Sequence, residues 1–196
     1  EHDTDYGRYP SFEQLDSDTY VLAYQGTGTD GFIKTFTIAA DGATITQVAS
    51  LEHDESLAYW NSLIKTDVNT FLLAYAGDGD DGYAKTFTIP ADGSSITQVA
   101  NVEHDINYSA YNNLAQIDAD SYVLAMRGTH THTGTSSNGA YVRTLDTPAL
   151  ATATVPRISS VALAADNSTV AVTWNEPVYS TNGGSGALEA GDFSMS

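Results

Sequence analysis

Along the chain, short apolar runs alternate with clusters of Gly, Asp, Asn and Thr, and no stretch sustains an apolar period of 3.6 residues. The runs "SFEQL" (11–15), "YVLAY" (20–24), "FIKTFTI" (32–38) and "TITQVAS" (44–50) are answered in order by "SLIKT" (62–66), "FLLAY" (71–75), "YAKTFTI" (83–89) and "SITQVAN" (95–101). β-Branched and aromatic residues fill each run and turn-forming residues bound it, which predicts strands and almost no helix. In the "ADG" turns, Gly42 and Gly93 can take the positive φ that a tight reversal needs. The second run of each set is apolar at nearly every position, the pattern of a strand covered on both faces.

The answering runs lie 51 residues apart, as do Glu1, Glu52 and Glu103, each of which opens an "EHD" triplet. Self-similarity at this period marks a repeat architecture. The reading is repeat 1 over 1–51, repeat 2 over 52–102 and a degenerate repeat 3 over 103–155. The third copy carries roughly seven extra residues in "GTHTHTGTSSNGAYVRT" and loses the "ADG" turn, as a terminal repeat does. The expected fold is all-β. Four antiparallel strands in tandem units of this length describe β-propeller blades, with the β-trefoil and β-prism as alternatives. Three blades do not close a ring, so the propeller reading requires further repeats upstream or a homo-oligomer in which a second chain supplies them.

From residue 156 the pattern changes. Two strand candidates, "ISSVALA" (158–164) and "TVAVTWN" (169–175), precede a Gly/Ser loop. "ISSVALAADNSTVAVTWNEPVY" resembles the opening of bacterial Ig-like domains of surface and secreted proteins, so 156–196 reads as a partial Ig-like segment. It is too short for a full sandwich of roughly 100 residues. The repeat itself, through "LEHD", "SDTYVLAY" and "DGFIKTFTIAADGATITQV", is similar to tandem repeats of large secreted or surface-bound proteins of marine bacteria. That resemblance implies a secreted or cell-surface location and no particular activity. "ADGATI" (40–45) and "ADGSSI" (91–96) resemble the Asp-box hairpin of sialidase-type propellers in turn role alone, lacking its Asp-x-Gly spacing and its Trp. The four arginines, Arg8, Arg127, Arg143 and Arg157, are few for a sialidase site.

Charge narrows the partners. With 25 acidic against 7 basic residues the net charge is −18, which disfavours nucleic acid and anionic membrane surfaces. Absence of cysteine removes disulfides, zinc thiolates and Cys nucleophiles. No apolar run is long enough to span a bilayer and no signal peptide is visible; the chain begins inside its own repeat and reads as a mature fragment or a piece of a longer protein.

Candidate chemistry centres on the triplet. Neighbours on an extended strand alternate faces, so Glu1 and Asp3 would share a side with His2 opposite. The favoured role is a structural joint between the fourth strand of one repeat and the first of the next. There His2, His53 and His104 would bond backbone carbonyls, and the carboxylates would meet turn amides or a nearby cation. Lys34, Lys85 and Arg143 hold one equivalent place in the third strand, Lys34 on the same face as Phe32 and Phe36. A buried cation needs a carboxylate, expected from the triplet. In "GDGDDG" (77–82), Asp78, Asp80 and Asp81 are oxygen donors of the kind calcium takes, although their spacing departs from the EF-hand. His130 and His132 of "HTH", in the expanded loop of repeat 3, have the alternation of two imidazole metal ligands and lack an evident third.

Just after each triplet stand equivalent aromatics, Tyr9, Trp60 and Tyr111, with Tyr6, Tyr59 and Tyr108 nearby. Such residues pack between sheets. They also stack on sugar faces and hydrogen-bond with their polar tips, and repetition would add avidity. "GGSGA" (183–187) misses the nucleophile-elbow pattern. The leading expectation is therefore a non-enzymatic adhesion or glycan-binding module of a secreted or cell-surface protein. Its rivals are a polysaccharide hydrolase or lyase with a propeller-face site, and a structural subunit completed by neighbouring chains.

Overall fold

Strands rich in β-branched and aromatic residues, separated by tight Gly/Asp turns, pair with their nearest neighbours in the chain. The computed structural model describes the backbone of residues 2–4, 6–118, 121–132, 135–146, 158–163 and 170–174, and the side chains of these apart from 130–132, 135–138, 146, 158–163 and 170–174. β1 (Arg8–Gln14), β2 (Thr19–Gln25), β3 (Gly31–Ile38) and β4 (Ile45–Asp54) form one antiparallel sheet in sequence order. β5 (Tyr59–Asp67), β6 (Thr70–Ala76), β7 (Gly82–Thr88) and β8 (Thr97–Asp105) form a second in the same order, and β9 (Ser109–Gln116), β10 (Ser121–His132) and β11 (Thr135–Asp146) a third. The chain divides into two compact units, Glu1–Thr152 and Ala153–Ser196. In the second, β12 (Ile158–Leu163) and β13 (Val170–Trp174) pair as an antiparallel hairpin. The protein is thus all-β, and the described helix is limited to single 3-10 turns at Thr27–Thr29 and Asp78–Asp80.

Within the first unit, neighbouring sheets pack face to face and meet along their first strands, β1 against β5 and β5 against β9. One core lies between the first two sheets, with Val21, Ala23 and Ile33 on one side and Leu63, Phe71, Leu73 and Phe87 on the other. A second joins Leu72, Ala74 and Ala84 to Leu114, Tyr122, Leu124 and Leu145. β6 therefore has packed sheets on both faces, and all seven of its residues are buried. Side-chain hooks reinforce the packing: Leu63 N donates to Ser11 Oγ at 2.9 Å and Leu114 N to Ser62 Oγ at 3.0 Å. The "ADG" turn of repeat 2, with Gly93 at φ 67°, seats its carbonyl on the Thr35 hydroxyl of the first sheet at 2.7 Å. Thr86, the counterpart of Thr35, finds no hydrogen-bond partner for its hydroxyl among the described residues, consistent with the loss of that turn from the third copy.

Two expectations are corrected. "EHD" is not a joint between strands: Glu52–Asp54 end β4 and Glu103–Asp105 end β8. Phe32 pairs with Glu52 and Gly31 with Asp54, which leaves His53 as the extra residue of a β-bulge; His104 occupies the same place in the second sheet. The bulge breaks the simple alternation of faces. "HTH" is not in a loop either, because the extra residues lengthen the β10–β11 hairpin, where His130 pairs with Ser137 and His132 with Thr135. Thr and Ser alternating through "GTHTHTGTSS" suit an extended hairpin.

Candidate functional site

The triplets build a latch, and its central group is the aspartate. Asp54 Oδ1 accepts from Ser56 N at 3.1 Å, Ser56 Oγ at 2.8 Å and Leu57 N at 3.3 Å, which fixes the turn into β5. Its Oδ2 accepts from the Tyr75 hydroxyl at 2.7 Å and faces Lys85 Nζ at 3.6 Å. Asp105 repeats the arrangement, taking Asn107 N at 3.0 Å and meeting Arg143 Nη2 at 2.7 Å. Asp3 takes Tyr6 N at 3.0 Å and the Tyr24 hydroxyl at 3.1 Å. Each of the three cations reaches the carbonyl oxygen of a triplet histidine: Lys34 that of His2 at 2.6 Å, Arg143 that of His104 at 2.5 Å, and Lys85 that of His53. Burial pushes the Lys85 ammonium below its ordinary range, and the Asp54 charge opposes the shift. Glu52 and Glu103 are exposed, and Glu1 lies outside the described residues.

The imidazoles behave differently from expectation. Among the described residues, neither nitrogen of His53 or His104 makes a well-formed hydrogen bond, nor does Nε2 of His2. His53 instead sits edge-on to Tyr75 at 5.0 Å and Phe87 at 6.0 Å, and presses on Gly31, where a Cβ would come within 2.5 Å of its ring. His104 presses in the same way on Gly82. Ring packing beside the bulge thus dominates the surroundings of the His53 imidazole. Burial, with help from Lys85 and against Asp54, drives the His53 imidazole down to about 3. Burial, with Arg143 adding to it, drives His104 down to about 4.

Tyr9, Trp60 and Tyr111 lie together, and their backbones share an unusual conformation. Their φ angles are 50°, 51° and 54°, the left-handed region that bulky residues rarely enter. Each sits at a register shift in the first strand of its sheet. The rings form a continuous ladder across the three sheets: Tyr9 to Trp60 at 5.6 Å and Trp60 to Tyr111 at 5.4 Å, with Tyr59 at 5.3 Å from Tyr9 and Tyr108 at 6.2 Å from Trp60. Tyr9, Tyr59, Trp60 and Tyr108 are half-buried and Tyr111 is 63% exposed. Tyr6 stands apart from the ladder, under the Arg8 guanidinium at 4.7 Å.

Sequence reasoning missed the parts that hold the ladder. Asn61 Nδ2 donates to the Tyr9 carbonyl at 3.2 Å, Asn112 Nδ2 to the Trp60 carbonyl at 3.3 Å, and Arg127 lies 5.6 Å over the Tyr108 ring. The signal was present, since Asn61 and Asn112 recur 51 residues apart directly after the ladder residues.

The described metal candidates do not converge. Asp78, Asp80 and Asp81 lie at a turn closed by its own backbone, Gly77 N to Asp81 O at 2.9 Å and Asp80 N to Gly77 O at 3.0 Å. Among the described residues no three His, Cys, Asp or Glu side chains are grouped to hold an ion. The side chains of His130 and His132 lie outside the described residues. No described helix is long and apolar enough to cross a membrane.

No family model and no curated protein matches this sequence. Among solved structures, the chain is similar to the crystal structure of alpha-L-arabinofuranosidase from Lactobacillus brevis, at 10% identity and a TM-score of 0.45 over 74% of this chain. The chain spans 51% of the length of that protein.

Proposed function

We propose that the three sheets are consecutive blades of a β-propeller-type array, in a non-enzymatic binding module of a secreted or cell-surface bacterial protein, and that the Tyr9–Trp60–Tyr111 ladder binds polysaccharide. Sequential four-stranded meanders meeting along their first strands support the blade reading. The observation that carries the binding reading is the row of partly exposed rings, with an aromatic held at positive φ at the same place in each repeat. Left-handed backbone costs a non-glycine residue about 1–2 kcal/mol. A purely structural bulge would be met more cheaply by glycine, so an aromatic at all three positions fits use of the rings. Rings joined in one row present an extended apolar strip edged by hydroxyls and an indole N–H, suited to a polymer of sugars rather than a compact ligand.

Electrophoresis through gels containing neutral and acidic polysaccharides, alongside a glycan array, tests the reading. Retention on at least one polysaccharide is expected, with Trp60→Ala and Tyr111→Ala each weakening it about tenfold, or about 1.4 kcal/mol. Tyr111 is largely exposed, so its variant reads binding without a folding defect. Absence of retention on every polysaccharide, or equal retention by both variants, would refute the proposal.

A further inference from the structure

We propose that the chain associates head to tail with a second copy of itself, the open face of its third sheet seating on the open face of its first. This goes beyond the ligand reading and does not depend on it. The protein already uses one inter-sheet interface twice. In repeat 2, Leu63, Phe71, Leu73, Phe87 and Ile89 are no more than 2% exposed because the first sheet covers them. The residues 51 positions earlier are Phe12, Tyr20, Leu22, Phe36 and Ile38, nearly the same apolar set. There Phe12, Leu22, Phe36 and Ile38 line an open groove in which Phe12 is 51% exposed and the adjoining Ile45 64% exposed, with Leu22 and Phe36 at its floor. Phe12 and Tyr20 stack on each other at 5.3 Å.

The complementary face is open as well. Val21, Ala23 and Ile33 of the first sheet cover the second, and Leu72, Ala74 and Ala84 of the second cover the third. The counterparts in the third sheet are Val123, Ala125 and Val142. Ala125 is exposed and Val142 is 73% exposed, both in a second apolar groove beside Ala140 and Tyr111. Among the described residues, one exposed copy of each half of the internal interface is thus present.

A third feature agrees. The Gly93 turn of repeat 2 docks on Thr35, whereas a Cβ on its counterpart Gly42 would meet nothing within 4 Å. Thr144, the counterpart of Thr35 in the third sheet, is exposed. Docking two copies as repeat 2 docks on repeat 1 brings Gly42 of one onto Thr144 of the other. It also brings Tyr9 of one to Tyr111 of the other, so the aromatic ladder runs on through the contact. Because the two faces differ, the contact is heterologous, closing into a ring or running on as a filament. The net charge of −18 on each chain opposes association, so salt strengthens it.

Sedimentation equilibrium of the full chain over a range of concentrations, in low and high salt, is the test. A mass rising above one chain, more readily in high salt, is expected. Phe12→Glu and Val142→Glu alter opposite faces at exposed positions, and unchanged melting confirms that they fold. Each alone weakens association at least tenfold, and mixing the two variants restores a two-chain species through the one intact pair of faces. A concentration-independent single-chain mass would overturn the proposal. So would association that only one of the variants disturbs, the result expected of a symmetric contact. Loss of glycan retention leaves these masses unchanged, so the two proposals fail separately.

Discussion

Asp54→Ala is expected to destabilise the first unit by about 3–5 kcal/mol, the range for breaking a buried ion pair from one side. One carboxylate serves the turn amides of Ser56 and Leu57, the Tyr75 hydroxyl and the Lys85 ammonium. Removing it leaves an ammonium 5% exposed with a backbone carbonyl as its remaining partner, and orphans the hydroxyl of a fully buried tyrosine. Lys85→Met should cost less, about 1–3 kcal/mol, because Asp54 keeps its other hydrogen bonds and the methionine keeps most of the volume. Asp105→Ala should also cost less than Asp54→Ala, since its partner Arg143 is 42% exposed and water can replace the lost contact. Urea unfolding of the single and double variants gives the order and the coupling between Asp54 and Lys85. A loss under about 1 kcal/mol for Asp54→Ala would show that the latch contributes no more than a surface ion pair.

Acid should begin to destabilise the protein well above the range where ordinary carboxylates titrate. In the unfolded chain a histidine takes up its proton near its ordinary value of 6.5, whereas folded His53 resists until about 3 and His104 until about 4. Between those limits the unfolded chain binds more protons than the folded one, so stability is full above pH 6.5 and falls as the pH is lowered. For His53 the difference corresponds to on the order of 5 kcal/mol; His104, less buried and shifted less, contributes somewhat less. Asp54 adds a loss in the same direction at lower pH. Burial pushes its carboxyl up, but the bonds from Tyr75, Ser56 and Leu57 outweigh burial and hold it below the ordinary range. The urea midpoint should therefore drop steadily from pH 7 to pH 4, and His53→Phe should remove roughly half of that slope, His104 carrying the rest. A midpoint independent of pH across this interval would contradict the buried, neutral imidazole.

Much of this architecture was legible in the residues. "FLLAY" announced a strand covered on both sides, and β6 is one. "ADG" announced turns needing positive φ, and Gly42 and Gly93 have φ of 70° and 67°. The triplet was harder to read. The placement of the second and third triplets between strands proved wrong, because a bulge arises from the register of two strands and leaves no mark within one of them. The tight approach of His53 to Gly31 joins residues far apart in the chain, and neither looks unusual in its own surroundings. Asn61 and Asn112 stood in plain view at the repeat spacing, yet their targets, the Tyr9 and Trp60 carbonyls, belong to the preceding sheet.

The sequence by itself determined the repeat, the strands and turns of each copy, and the residues able to bear charge or stack, because these depend on neighbours a few positions away. Tertiary structure alone decided which of them meet: that six scattered aromatics become a five-ring ladder and one outlier, that His53 packs on aromatic rings while Asp54 binds, and that Phe12 and Val142 are exposed where their equivalents are covered. Those outcomes follow from how sheets 51 residues apart pack and shift register, a long-range contact that no local pattern encodes.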